Sequence, residues 1–421
     1  MRAIMSFLNK LLTAAKVRRS LRLLLGILLF ASSLPLLASA KLHTAPILIV
    51  DTEQQLIMLD PQAQSILKTF QFDFPLHQKI LHSKDGQFAY LSSPEGWLIQ
   101  LDLQAHEIRQ QRRVAQQTTG IALSVDDRYL MVANSSPCSL IALHAGDFSL
   151  IRTLDVKDKN GKASAVAAIY SATARKSFIA VMRDIPELWE MSYDPQAEPI
   201  YEGFVHDYKM GEGIALRGPF PPRRTLLEQP LSHFIFDADA THAIGAGENG
   251  VLQVINLNIR RKIRELHLSS DSVPDAGLIL QRDNNSVLLL PSATQEILYT
   301  INLKTWLEQP TIATQIAGFS VEQDPASQDI WLYRATENST TMPTAKPRNC
   351  RQLLGASALS ISIHIGIGTP PEQTLMQHCH ATTWSNDGKL MLYADTAARP
   401  AAIRVYHTAS RRLLRSLPLA P

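Results

Sequence analysis

An all-β fold, an eight-bladed β-propeller of four-stranded antiparallel blades, is the architecture predicted by this 421-residue sequence. Two observations predict it. Short apolar runs separated by turns bearing Asp, Asn and Gly recur about every 40–45 residues, the period of a four-stranded blade. Helical periodicity is almost absent over the same stretch, and a β-sandwich or parallel β-helix needs shorter repeats.

Before the repeats begin, residues 1–40 form a separate segment. Arg2, Lys10, Lys16, Arg18, Arg19 and Arg22 precede the apolar run LLLGILLFASSLPLLA, which ends at Ala38-Ser39-Ala40. A basic start, an apolar middle and small residues at the end describe a secretory signal peptide. Because the basic part is long, an uncleaved N-terminal anchor is the alternative. Either way residues 41–421 are expected outside the cytoplasm, as one propeller domain.

Residues 47–72 supply three strands of a first unit. The pattern is clearest in residues 78–114, where Lys84-Asp85-Gly86 precedes FAYLSS, Glu95-Gly96 precedes WLIQLDL, and EIRQQRRV completes the unit. Copies follow at 118–156, 165–207, 231–268, 276–313 and 378–417, the last with Asn386-Asp387-Gly388 before LMLYAD. The unit at 318–368 is degraded, with IWLYR and ISIHIGIG as its strands. Trp97, Trp189 and Trp384 fall in separate units and are expected to pack between blades.

Two segments break the rhythm. Residues 208–230 carry glycines, prolines, Lys209, Arg217, Arg223 and Arg224, a composition expected to interrupt a strand ladder and form a long loop or lid. Residues 335–359 are polar and proline-containing and are expected to form a surface excursion.

Charge and cysteine usage narrow the chemistry. Six of the 41 Lys and Arg lie in the N-terminal segment, leaving 35 against 38 Asp and Glu. A nucleic-acid partner, which needs a clustered basic surface, is therefore not expected. Cys138, Cys350 and Cys379 include no CxxC or CxxCH, so covalent c-type haem attachment by that motif is excluded. One disulfide at most can form, with Cys350 and Cys379 the nearer pair, and Cys138 is expected to act as a small buried apolar residue. His378-Cys379-His380 resembles a metal cluster but alternates faces on a strand. No Walker motif, nucleophile elbow or dinucleotide fingerprint is present.

The stretches FPLHQKILHSKDGQFAYLSSPEGWLIQLDL, GIALSVDDRYLMVANSSPCSLIAL, AAIYSATARKSFIAVMRDIPELWEMSYDP and YEGFVHDYKMGEGIA, in that order, resemble the d1-haem propeller domain of cytochrome cd1 nitrite reductase. They also resemble the stand-alone periplasmic proteins of d1-haem biosynthesis. The resemblance runs from about residue 47 to the end. It implies a bound haem d1 or d1-type precursor, with His77, ahead of Asp85-Gly86, as the iron ligand. It also implies that Arg217, Arg223, Arg224 and Lys209, with His206 at the loop's start, contact the tetrapyrrole and its carboxylates.

One departure limits the implied chemistry. Where the reductases place two histidines over the haem, this chain has Ser232, with His233 one position off, and Asp275. Nitrite reduction is therefore not expected, and Asp275 and His233 remain the only candidates for acid–base work. The resemblance implies a role in d1-haem biosynthesis, maturation or delivery, with an acceptor nitrite reductase or other haem-maturation proteins as partners. Contact with a membrane is expected only through an uncleaved signal. A cofactor-free propeller serving as a periplasmic protein-interaction platform is the alternative, and whether any reaction is catalysed stays open.

Overall fold

Runs of β-branched and aromatic residues closed by turns that bind their own backbone give this chain its strands. After Leu81–His82, the Ser83 hydroxyl donates to Asp85 at 2.6 Å and accepts the Phe88 N–H at 2.9 Å. Ser124 repeats both contacts with Asp126 and Tyr129. The tightest point of this turn needs a left-handed residue, supplied by Gly86 at φ 69°, Asp127 at φ 57° and Ala240 at φ 53°. At the later turns Asp102, Asn256 and Asn302 each accept two backbone N–H groups from the residues that follow.

A computed structural model describes residues 46–419 except 51–53, 78, 203–213, 217, 248–250, 269–276, 283–284, 293, 315–319, 324–329, 334–362, 366–378, 385–389, 396–401 and 408–412. The N-terminal segment, the 335–359 excursion and Cys350 lie outside the described residues.

The described strands form small sheets in chain order. Ile47–Val50, Gln55–Leu59 and Ile66–Gln71 make the first. Four-stranded antiparallel meanders follow, beginning at Leu81–His82, Gln117–Leu123 and Val166–Ala172, then at His233–Phe236 and Leu278–Arg282, and finally at Cys379–Trp384. Between the last two lies a three-stranded sheet in which Ile363–Ile365 pairs parallel to Ile330–Tyr333.

One boundary differs from expectation. The sheet that starts at Val166–Ala172 takes its fourth strand, Pro222–Leu226, from inside the segment expected to be loop. The proline is tolerated because it is the first residue of a strand with no neighbour beyond it, so its missing N–H removes no ladder bond. Cys138 also differs, being half-exposed, with its thiol 3.6 Å from the Ser135 carbonyl.

Alternate side chains leave each sheet on its two faces, and apolar clusters fill the spaces between consecutive sheets. Phe70, Leu56, Ile99 and Leu101 join the first sheet to the second, with Phe74 stacked on Trp97 at 5.1 Å. Met131, Leu140, Phe178 and Trp189 join the third to the fourth. The same arrangement continues through Phe234 and Ile255, then Val254 and Leu288, then Leu289 and Val321. Ile47, Ile49, Ile57 and Leu59 of the first sheet pack with Leu392, Ile403 and Val405 of the last. The first and last of these sheets therefore meet through an apolar seam.

Candidate functional site

The first strands of four consecutive sheets line a cavity of about 680 Å³. They contribute Lys79 to His82 and Lys84, Ala122 to Val125 and Asp127, Tyr170, Ser171 and Thr173, and Phe234 to Phe236. Its volume lies within the roughly 300–1,000 Å³ of small-molecule and cofactor sites. One wall is aromatic: Tyr170 meets Phe234 edge-on at 4.8 Å, and Phe234 meets Phe236 at 5.2 Å. The lining also carries Lys79, His82 and Lys84.

Electrostatics distinguish these cations. Lys79 and His82 are accessible to water, yet they stand in a protein-walled recess, and desolvation lowers both from their ordinary values. The Lys79 ammonium lies over the Tyr170 ring, 4.5 Å from its centre. Lys84 has a carboxylate beside it, since Asp127 accepts the Lys84 N–H at 2.6 Å. Burial raises the Asp127 carboxyl, more than that hydrogen bond lowers it.

His77 sits two residues ahead of Lys79, where the chain approaches its inner strand. Its backbone N–H donates to the Ser92 carbonyl at 2.8 Å, and its Nδ1 is 2.9 Å from the Ser92 hydroxyl. Burial lowers its pKa, so the ring is neutral at pH 7. In the tautomer that donates Nδ1–H to Ser92, Nε2 keeps a lone pair, as a ligand to haem iron must. A neutral imidazole with a free Nε2 is chemically suited to the iron of a tetrapyrrole. Among the described residues no three His, Cys, Asp or Glu side chains converge as a cluster able to hold a bare metal ion. His378 lies outside those residues.

The arginine expectations fare differently. Arg223 and Arg224 lie on Pro222–Leu226, the strand of its sheet farthest from the inner one. Arg224 is committed to Glu187 through two contacts of 2.7 Å, donates to the Lys157 carbonyl, and stacks on Trp189. Its role is structural: Glu187 is buried, and the bidentate arginine supplies its counter-charge. Arg223 instead borders an outer recess of about 840 Å³, with Arg175, Glu190 and Tyr193. That recess is larger than the first and draws its lining from the third and fourth sheets and from turns of the fifth, including Tyr129, Glu190 and Thr241.

The two halves of the expected site also attach to opposite ends. His77 faces Ser92, at the end where inner strands begin. The segment between Glu187–Ser192 and Pro222–Leu226 leaves the sheet beyond Ser192, which pairs with Ser177, the partner of Ala172 at the end where the inner strand finishes. Lys209, Arg217, His206 and Asp275 lie outside the described residues. His233 is exposed at the first position of its inner strand, and the next residue, Phe234, turns into the cavity. Lys79, His82 and Tyr170 were not singled out in the sequence. The signal available was the composition of FPLHQKILHSKDGQF, which holds two of them beside His77.

A family profile described as "Cytochrome D1 heme domain" matches residues 44–344. A Pseudomonas aeruginosa protein named dihydro-heme d1 dehydrogenase is 26% identical over 286 residues, 68% of this chain and 54% of that protein. The chain thus spans about half the length of this curated relative. The solved structure of dihydro-heme d1 dehydrogenase NirN in complex with DHE superposes with a TM-score of 0.73 at 23% identity, covering 90% of this chain and 74% of the other. At that identity the superposition establishes a shared fold.

Proposed function

The chain belongs to the cytochrome D1 heme domain family, and from that membership we propose that it is an exported propeller that binds haem d1 or a d1-type precursor. The observation that carries the reading, beside that membership, is the cavity on the first strands of four consecutive sheets, lined by Tyr170, Phe234 and Phe236 together with Lys79, His82 and Lys84. The six four-stranded and two three-stranded sheets are read as eight blades, closed at the apolar seam between first and last. Residues 1–40 direct the protein to the periplasm in this reading.

His77 is the proposed iron ligand. Ser92 fixes its ring and leaves Nε2 to the metal, while desolvation keeps the imidazole unprotonated. A bound d1-type tetrapyrrole supplies the iron and several carboxylates. The apolar lining around Tyr170, Phe234 and Phe236 is the proposed contact surface for its macrocycle. Its place in metabolism is biosynthesis, maturation or delivery of haem d1, consistent with the relative whose name records dehydrogenation of a dihydro-heme d1. In this reading Arg224 serves as the counter-charge of Glu187.

Visible-spectrum titration of the purified protein tests this. Haem d1 is expected to bind tightly and haem b, the control, more weakly. His77→Ala is expected to change the iron spectrum while retaining part of the affinity. Absence of haem d1 binding by the wild type would reject the proposal, and an unchanged spectrum in the variant would reject His77 as ligand.

A further inference from the structure

We propose that the outer strand of the fifth sheet, Arg261–Leu266, with the turn before it, is a docking surface for an acidic extended segment of a partner protein. The inference does not depend on the tetrapyrrole reading. Arg261–Leu266 is the last strand of its sheet, and among the described residues no strand pairs with its far edge. Arg260, Arg261 and Arg264 are exposed, and among the described residues none of their side chains has a hydrogen bond or ion pair. Lys262 differs, being held by Glu228 and Glu265. The uncommitted guanidinium groups are thus concentrated on one strand, in a chain where Asp and Glu outnumber Lys and Arg outside the N-terminal segment.

Earlier sheets show what such an arginine does when it has a partner within the chain. Arg112 lies opposite Leu98 and donates to the Phe148 carbonyl in the third sheet's last turn at 2.8 Å. Arg152 lies opposite Ala142 and donates to the Pro219 carbonyl, ahead of the fourth sheet's last strand, at 2.7 Å. Directly paired residues share a face, and Leu98 and Ala142 belong to clusters that pack on the following sheet. Arg264 lies opposite Val254, which packs on the sixth sheet, so it holds the matching place at that junction. There it makes no bond across the junction and lines a recess of about 490 Å³ with Trp306. Ile263 and Leu307 of the same lining are 40% and 56% exposed. Exposed apolar side chains beside uncommitted arginines suit a segment in which carboxylates alternate with apolar residues. Glu265 and Glu308 also line the recess. They disfavour a continuous anionic surface such as a membrane, while single carboxylates can still be placed at Arg261 and Arg264.

The test is fluorescence anisotropy of a labelled short peptide of alternating Glu and Val with the purified protein, against the same peptide carrying Lys in place of Glu. The wild type should bind the acidic peptide and not the basic one. The Arg261→Glu, Arg264→Glu double variant should bind it roughly tenfold more weakly or worse. Lys68→Glu, on the exposed outer strand of the first sheet, should leave binding unchanged. Hydrogen exchange should slow at Arg261–Leu266 when the acidic peptide is present. Thermal unfolding verifies that the double variant is folded. Failure of the wild type to bind the acidic peptide overturns the proposal, as does equal binding by the double variant or slowed exchange only elsewhere. Binding of phosphatidylglycerol vesicles in place of the peptide, lost in the double variant, would overturn the protein partner in favour of a membrane.

Discussion

His77 and His82 share a chemical situation that makes a pH prediction possible. Both have folded-state pKa values lowered by burial, from an ordinary value of about 6.5. Between 6.5 and those lowered values the unfolded chain binds more protons than the folded one, so stability falls as pH drops through the window. The denaturation midpoint should therefore be lower at pH 5.5 than at pH 7.5, with the difference reduced in a His77→Gln, His82→Gln double variant. An identical pH slope in that variant would show that other groups control the response. The same residues show how far the sequence could be read. His77 was singled out because it stands in a family motif, whereas His82 and Lys79 come to notice only through a cavity that draws residues from strands far apart in the chain. The strand that carries Arg224 was missed for a related reason: glycines and prolines around it suggested a loop, and its partner strand Glu187–Ser192 lies across a long insertion.

Single elements depend on their turns. Gly96, between Phe88–Ser92 and Trp97–Asp102, has φ +83°, and a Cβ there would lie 2.1 Å from the Ala115 carbonyl oxygen. Gly96→Ala should cost about 3 kcal/mol or more, combining left-handed strain with a backbone collision that no side-chain rotation relieves. Urea unfolding measures it, and a loss below about 1 kcal/mol would mean that the turn rearranges freely. Strands and turns of this kind were legible because their signals are local: the Ser-x-Asp turn after the inner strand and the alternating runs beside it sit within one unit. The fourth strand Pro222–Leu226 was not, since its pairing with Glu187–Ser192 bridges a long insertion and its opening proline argues against a strand unless the edge position is known. Nor does sequence alone reveal that Ile363–Ile365 runs parallel to its neighbour.

For the molecule as a whole, the seam between first and last sheets joins residues far apart in the chain, and the proposed closure depends on it. Ile57 and Ile403 are fully buried in the same cluster. Each substitution to Ala should cost about 2–5 kcal/mol, but the double variant should cost less than the sum, because the first loss already loosens the joint. Strict additivity in urea unfolding would show that the seam residues do not act together. The repeat period predicted the succession of sheets, while the identity of the sheets that meet at the ends is a property of the folded chain. The seam also imposes an order on synthesis. Ile47, Ile49, Ile57 and Leu59 leave the ribosome first, yet Leu392, Ile403 and Val405, which cover them, are made last. Through most of translation one oily face of the earliest sheet waits uncovered, which makes it the natural handhold for a chaperone and the first place from which a stalled chain would aggregate.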